Sequence, residues 1–256
     1  MGRAMAAALI GKGVCTGGDI LVVEPDADTR EANANLGCLV QEVPGPEVGE
    51  AKVVLLAVKP QTAPEVYPVL QPLLSPGQVV VSIMAGVTIG TIQSGLSHDA
   101  IVRVMPNTPS QVGLGMNVYH AAPAVEAAQL EAVEALLQSS GESLAVESED
   151  AIDAATAVSG SGPAYVFYMA EAWTRAAIQL GFSEQEATQL VQQTLIGATA
   201  LWRTLGTAPE TLRAQVTSKG GTTAAALEHM EGKKIGKHFE DGVMAAYKRA
   251  KELGKG

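Results

Sequence analysis

Short apolar runs alternate with amphipathic stretches from the start of the chain to about Val146. Apolar runs that end at turn residues are typical of buried strands, and apolar positions three or four apart are typical of helices. We predict strands within 20–24, 38–40, 52–58, 78–84, 100–105, 115–120 and 143–146, separated by helices at 1–10, 29–36, 63–74, 89–96 and 124–139. Alternating strands and helices predict right-handed βαβ units and a largely parallel sheet, which is the doubly wound, Rossmann-like α/β class.

The pattern changes near Glu149, after which every apolar stretch has helical spacing. Helices are predicted at 151–158, 163–180, 183–205, 209–216, 222–230 and 235–253. We therefore predict two domains, a dinucleotide-binding domain at 1–148 and an all-helical substrate-binding and dimerisation domain at 149–256. The long apolar faces of 163–205, which include Trp173 and Trp202, predict that a second copy of the chain packs on them.

The cofactor cradle expected of such a sheet is incomplete in this sequence. A doubly wound sheet normally holds a dinucleotide on a glycine-rich turn between its first strand and first helix. Here the first predicted helix already begins at Met1 and Gly2, so the first strand and the first glycines of the turn are expected to be missing. This absence predicts weaker cofactor binding.

Composition and charge exclude several classes of partner. The formal net charge of −10 repels nucleic-acid phosphates and anionic lipids, and aromatic residues make up only 4% of the chain. No apolar run approaches the roughly 18 residues of a membrane span, and no signal-peptide pattern opens the sequence. The charge and composition therefore predict neither nucleic-acid nor membrane partners. Because Cys15 and Cys38 lack metal or redox spacing, we also predict reduced thiols, no metal site and a cytoplasmic protein.

Two loops rich in small residues carry the candidate chemistry. The first, within 153–168, places hydroxyls, glycines and Pro163 ahead of a helix, and the second, within 212–227, opens an alanine-rich helix. Glycine lets a ligand approach the backbone, and the N–H groups of a new helix attract a carboxylate or phosphate. Two such loops suggest one site, although a capped loop between helices explains the first one equally well.

These two loops, together with the segments 54–61 and 103–109, closely resemble the pyrroline-5-carboxylate reductase family. The four motifs occur in the order and at the spacing of that family. The resemblance implies reduction of 1-pyrroline-5-carboxylate to L-proline with hydride from NADPH or NADH. It also implies a homodimer or a higher homo-oligomer.

The resemblance further implies roles for individual residues. Thr156 is expected beside the imine nitrogen, as a hydrogen-bond donor or a relay for a water molecule. The residues expected to bind the substrate are Ser218, Gly221, Thr222, Thr223, Glu149 and Gln215. The residues expected to bind the cofactor are Met1, Gly2, Glu24, Val58, Lys59, Pro60, Ala85, Asn107, Ser161, Gly162 and Pro163.

The sequence departs from the family pattern at two of these places. Glu24 stands where other members often carry a small hydroxyl, and a carboxylate there favours NADH because it repels the extra phosphate of NADPH. Lys219 replaces the proline that most members have in the second loop.

Several alternatives stay open from the residues alone. Thr156 is also compatible with an ordinary helical threonine, Glu24 with a solvated turn residue and Asn107 with an Asx-type turn. A related imine or hydroxyacid reductase usually has a lysine or aspartate in its first long helix, where residues 163–180 offer only Glu171 and Arg175. A folded dimer impaired in cofactor binding is the remaining alternative.

Overall fold

The computed structural model describes residues 1–254, which divide into two compact units. The first unit comprises Met1–Pro163 together with the chain from Ala245 onward, and the second comprises Ala164–Met244. The strands of the first unit are β1 (Leu21–Val23), β2 (Leu39–Gln41), β3 (Val53–Leu56), β4 (Val79–Ser82), β5 (Ile101–Met105), β6 (Gly115–Ala121) and β7 (Gly141–Ala145). Its helices are α1 (Gly2–Gly11), α2 (Ala27–Ala34), α3 (Ala63–Leu70), α4 (Ile89–Leu96), α5 (Ala127–Ser139) and α6 (Glu149–Ala155), and a π-helical turn follows at Thr156–Gly160.

The strands form two sheets rather than the single sheet expected. β1 pairs with β2 in parallel, and the other five strands lie in the order β3-β4-β5-β6-β7. All neighbours in the larger sheet are parallel except β5 and β6, whose connection is too short for the helical crossover that parallel strands need. β1 and β3 therefore belong to different sheets.

The core lies on both faces of the larger sheet. Val80 faces a cluster with α3 and α4 that includes Ile92 and Leu96, while Val79 faces a second cluster that includes Met5 of α1 and Val133 of α5. Successive residues of β4 alternate between the two clusters because strand side chains alternate between faces. The doubly wound fold class predicted from the sequence is confirmed.

The helical unit leaves much of its apolar surface exposed within one chain. Its helices are α7 (Gly162–Gln179), α8 (Glu184–Leu205), α9 (Pro209–Gln215), α10 (Thr222–Gly232) and α11 (Ile235–Leu253), of which α7 begins and α11 ends in the first unit. Ser183 opens α8 with a capping box, in which its hydroxyl accepts from the Glu186 N–H and the Glu186 carboxylate accepts from the Ser183 N–H. Phe167 and Tyr168 are 63% and 73% exposed, and Trp173 and Trp202 are nearly half exposed.

The division into units differs from the boundary predicted after residue 148. The strands do end at Ala145, but α6 and the π-helical turn stay with the sheet because the buried Arg103 and the half-buried Asn107 bond to them. The end of α11 also returns to the first unit, where Lys251 Nζ lies 3.1 Å from Asp150 Oδ1.

Within residues 1–254, no helix has the length and apolar character needed to span a membrane. The same residues contain no cluster of three or more His, Cys, Asp or Glu side chains that could hold a metal ion.

Candidate functional site

The carboxyl ends of β3, β4 and β5 bring several of the predicted cofactor residues to one edge of the sheet. These strands run parallel, so the segments that follow them emerge on the same side. Val58, Lys59 and Pro60 follow β3, Ala85 follows β4 and Asn107 follows β5. Lys59 and Ala85 are exposed, while Val58 and Pro60 are half-buried.

The N-terminus of α1 lies beside the end of β3. A Cβ atom on Gly2 would sit 3.0 Å from the Cβ of Ala57, so only glycine fits without a shift. Met1 is the N-cap and provides no side-chain hydrogen bond, which leaves the first N–H groups of the helix available to an anion. This arrangement fits the pyrophosphate of a dinucleotide.

Glu24 follows β1, where it is partly engaged in its own turn. Its Oε1 accepts a hydrogen bond from the Asp26 N–H at 3.0 Å, and the guanidinium of Arg30 donates to the carbonyl oxygens of Glu24 and Pro25. Within residues 1–254, Oε2 of Glu24 takes part in no hydrogen bond or ion pair. That oxygen is therefore free to accept from a ribose hydroxyl, and the cofactor and turn roles of Glu24 are compatible.

Glu149, predicted to bind substrate, is committed to a buried ion cluster. Its Oε1 accepts from the Ile89 N–H at the start of α4 at 2.8 Å and from Arg103 Nη1 at 3.1 Å. Arg103 Nη2 donates to Asp153 Oδ1 at 2.7 Å, and the Arg103 side chain is only 2% exposed. Glu149 therefore connects α4, β5 and α6. These contacts show a structural role for its side chain.

The π-helical turn carries Thr156 and leads into the predicted nicotinamide contacts. The Ser161 N–H donates to Thr156 O at 2.8 Å, a bond to the fifth preceding residue that defines the turn. Single π turns are rare and occur frequently at functional sites. Ser161, Gly162 and Pro163 follow directly and are half-buried.

The hydroxyl of Thr156 already donates its proton within the chain. Thr156 Oγ1 lies 2.9 Å from the carbonyl oxygen of Ile152, which is the back-bond of an ordinary helical threonine. A hydroxyl has one proton and two lone pairs, so in this geometry Thr156 can accept a hydrogen bond but has no proton to donate. The predicted role as donor thus needs a rotation of the side chain, whereas an acceptor role does not.

The carboxylate seat, which is the site predicted to bind the carboxylate of the substrate, lies in the second unit at the start of α10. Gly221 is the N-cap, no side chain caps the helix, and its N–H donates to Ser218 O at 3.0 Å. A Cβ on Gly221 would sit 2.5 Å from Ser218 Oγ, so the serine hydroxyl lies over the glycine. The N–H groups of Thr222 and Thr223 precede the first intrahelical donor and point out of the helix end.

The two sets of predicted residues thus lie in different units. Gln215, the last residue of α9, and the segment 218–223 belong to the second unit, whereas the cofactor residues, Glu149 and Thr156 belong to the first. Sequence reasoning missed the role of Arg103, although a charged residue inside an apolar strand was a visible signal. It also missed the π turn, for which the sequence has no comparable signal.

The comparisons with known proteins cover the whole chain. The family described as "Pyrroline-5-carboxylate reductase dimerisation" matches residues 149–253, and the family described as "NADP oxidoreductase coenzyme F420-dependent" matches residues 1–86. The pyrroline-5-carboxylate reductase of Pseudomonas aeruginosa is 38% identical over 255 residues, which cover 97% of this chain and 93% of that protein.

Two solved structures extend the likeness to three dimensions. A pyrroline-5-carboxylate reductase from Coxiella burnetii has a TM-score of 0.92 at 34% identity and covers 100% of this chain and 95% of that one. The Plasmodium falciparum pyrroline carboxylate reductase with NADP bound has a TM-score of 0.88 at 28% identity, with coverages of 99% and 94%. Identity above 30% over nearly the full length of both chains shows that this protein belongs to the pyrroline-5-carboxylate reductase family.

Proposed function

We propose that this protein reduces 1-pyrroline-5-carboxylate to L-proline with hydride from NADPH or NADH, as its relatives' names indicate. The observation that carries the proposal is the uncapped start of α10, because a small acidic substrate needs a seat for its carboxylate in a protein of net charge −10. Thr222 and Thr223 offer main-chain N–H groups there, and the positive end of the helix dipole adds attraction. Ser218 and Thr223 add hydroxyls.

The proposed cofactor site uses the chain's own residues at three points. The start of α1 at Met1 and Gly2 binds the pyrophosphate, Glu24 accepts from the adenosine ribose, and the ends of β3 and β4 line the path towards the nicotinamide. When bound, the cofactor supplies the hydride for the C=N carbon. Ser161, Gly162 and Pro163 restrict the approach to the ring and exclude water from it.

Thr156 is proposed to orient the imine nitrogen. Because its proton is bonded to Ile152 O, its oxygen can accept a hydrogen bond from the N–H of a protonated imine. A threonine hydroxyl is far too weak an acid to protonate the nitrogen itself. The substrate therefore arrives protonated in this proposal, and Thr156 holds it in place.

The hydroxyacid-reductase alternative has less support from the first long helix. Glu171 and Arg175 are the only charged residues of α7, and both are about two-thirds exposed. They lie 3.7 Å apart on the helix surface, where they pair with each other. Neither is placed as a buried catalytic acid.

The family assignment supports a homo-oligomer, and we propose that it is at least a homodimer formed through the second unit. Phe167, Tyr168, Trp173 and Trp202 supply the exposed apolar surface that such an interface would cover. The free thiols of Cys15 and Cys38 support a reducing compartment, for which we propose the cytoplasm.

Steady-state turnover tests the proposed function directly. The wild-type protein should oxidise NADH or NADPH with 1-pyrroline-5-carboxylate. It should neither reduce 3-oxo acids with these cofactors nor oxidise 3-hydroxyacids with NAD+ or NADP+. A higher kcat/KM with NADH than with NADPH would support the proposed role of Glu24. Turnover of the oxo acids alone would contradict the substrate assignment.

A glycine pair tests the carboxylate seat. Gly221→Ala should raise KM for the substrate about tenfold or more, since the new methyl displaces Ser218 Oγ and charged hydrogen bonds are lost. Gly232→Ala at the other end of α10 is the matched control, because a Cβ there meets no atom within 4 Å. Equal KM values for the two variants would argue against a seat at this helix start.

A further inference from the structure

Three side chains on one face of β5 and its extension contact α6 and the π-helical turn. Arg103 bonds to carboxylates of α6, and the Met105 methyl lies 2.7 Å from the place of a Cβ on Gly160. Asn107 Nδ2 donates to Ser159 O at 3.0 Å. The backbone at Asn107 is extended, with φ −133° and ψ 168°, so the two-residue alternation of the strand continues through position 107.

The carbonyl of Ser159 lacks the donor that an α-helix would give it. In an α-helix it would accept from the N–H of residue 163, but that residue is proline and has no N–H. Ser159 is half-buried, and a carbonyl shielded from water without a partner costs free energy comparable to a lost hydrogen bond. The side-chain amide of Asn107 supplies the missing donor.

Both ends of the Asn107 amide are engaged. Its Oδ1 accepts from the Met116 N–H of β6 at 2.9 Å while Nδ2 bonds to Ser159 O. The amide therefore connects β6 to the π-helical turn and has a fixed orientation. This is neither a local Asx turn nor a side chain held free for a cofactor.

We propose that Asn107 is a positioning residue, which holds the π-helical turn in the register that presents Thr156 and thereby acts through Thr156. The inference rests on the proposed function, because Thr156 matters to the rate only if the imine is reduced beside it. It replaces a direct cofactor contact as the main role of Asn107. Loss of the amide donor should therefore slow the reaction without weakening cofactor binding.

The kinetic test uses Asn107→Asp, which keeps an acceptor for Met116 N–H and removes the donor to Ser159 O. We expect kcat to fall about 10- to 100-fold, because small misplacements of a reacting group cost about that much, with KM for NADH or NADPH within about twofold of wild type. The isotope effect on kcat with 4-deuterated cofactor should rise. A raised cofactor KM at unchanged kcat, or no kinetic change, would overturn the proposal.

Asn117→Asp is the matched control. Asn117 is fully buried in β6, and its Nδ2 donates to Leu137 O at 3.0 Å, so the same chemical change is made away from α6. This variant should lose thermal stability but keep kcat within about twofold while it is folded. An equal loss of kcat in both variants would mean that general destabilisation explains the effect, which contradicts a positioning role.

A double-mutant cycle with Pro163→Ala tests the missing donor itself. Alanine restores an N–H at position 163, so Ser159 O no longer depends on Asn107. Asn107→Asp should then cost several-fold less kcat in the Pro163→Ala background than in the wild-type background. Equal costs in both backgrounds would overturn the argument.

Hydrogen exchange gives a readout that does not depend on turnover. The Ser161 N–H, bonded to Thr156 O, should exchange about tenfold faster in Asn107→Asp and at the wild-type rate in Asn117→Asp. Unchanged exchange in Asn107→Asp would overturn the positioning role. A wild-type protein that does not reduce 1-pyrroline-5-carboxylate would refute the proposed function instead, and the exchange result would still decide whether Asn107 holds the turn.

Discussion

The buried guanidinium of Arg103 should be one of the most sensitive points for the stability of the first unit. Its side chain is 2% exposed, and it neutralises Asp153, 13% exposed, and Glu149, 31% exposed. Arg103→Leu keeps much of the apolar stem and removes the charge. The two carboxylates of α6 would then face each other across a site of low polarity without a cation.

The expected magnitude follows from what remains of the cluster. Removing one partner of a buried ion pair costs about 3 to 5 kcal/mol, because an uncompensated charge is left behind. Glu149 keeps its bond to the Ile89 N–H and is partly solvated, so the lower end, about 3 kcal/mol, applies here. Each kcal/mol lost from the free energy of unfolding lowers the thermal unfolding midpoint of a chain of this size by about 2 to 4 °C, so the midpoint should fall by about 6 to 12 °C.

Thermal and urea unfolding at equal protein concentration measure this loss. Asp241→Asn is the control, because the Lys237–Asp241 pair is an exposed pair four residues apart in α11 and should contribute little. Arg103→Leu combined with Asp153→Leu should recover part of the stability, since only the partly solvated Glu149 is then left without its cation. A midpoint for Arg103→Leu within about 2 °C of the control would refute the reasoning.

Two further predictions concern the same unit. Gly86→Ala should lower the thermal unfolding midpoint more than Gly113→Ala. Both glycines have positive φ, at 75° and 71°, but only at Gly86 would a Cβ meet another segment, 3.0 Å from the Leu253 backbone. Equal losses in the two variants, measured by calorimetry, would contradict that packing. Burial and a hydrogen bond to Glu134 raise the pKa of Tyr119 to about 12. An unfolded tyrosine loses its proton near pH 10, so this contribution to stability is present below about pH 10 and is lost as the pH rises towards 12. As the pH rises between those values, urea unfolding should therefore show a smaller loss of stability for Tyr119→Phe than for wild type. Equal losses would contradict the raised pKa of Tyr119.

The sequence predicted most of the individual elements, because their signals are local. α4 occupies the predicted residues 89–96, and β4 lies inside its predicted range, since a short run of apolar, β-branched residues is a strong strand signal. The antiparallel pairing of β5 with β6 was not predicted. It depends on the length of a connection, which decides whether a crossover is possible.

The candidate site was predictable in part. The resemblance identified the family, the NAD(P)H-dependent oxidoreductase activity and the homo-oligomer, which the comparisons support. It did not predict that Glu149 is bonded to Arg103 and Ile89, or that Asn107 is bonded to Ser159, because these partners are far apart in sequence.

The destination of the cofactor's hydride tests the central claim most directly. The wild-type protein would be incubated with 1-pyrroline-5-carboxylate and NADH or NADPH that carries deuterium at the transferable C4 position, and the product would be examined by mass spectrometry and NMR. The proposed reaction predicts L-proline that is one mass unit heavier, with the deuterium on the carbon that was the imine carbon. Unlabelled proline, or oxidised cofactor without proline, would contradict it.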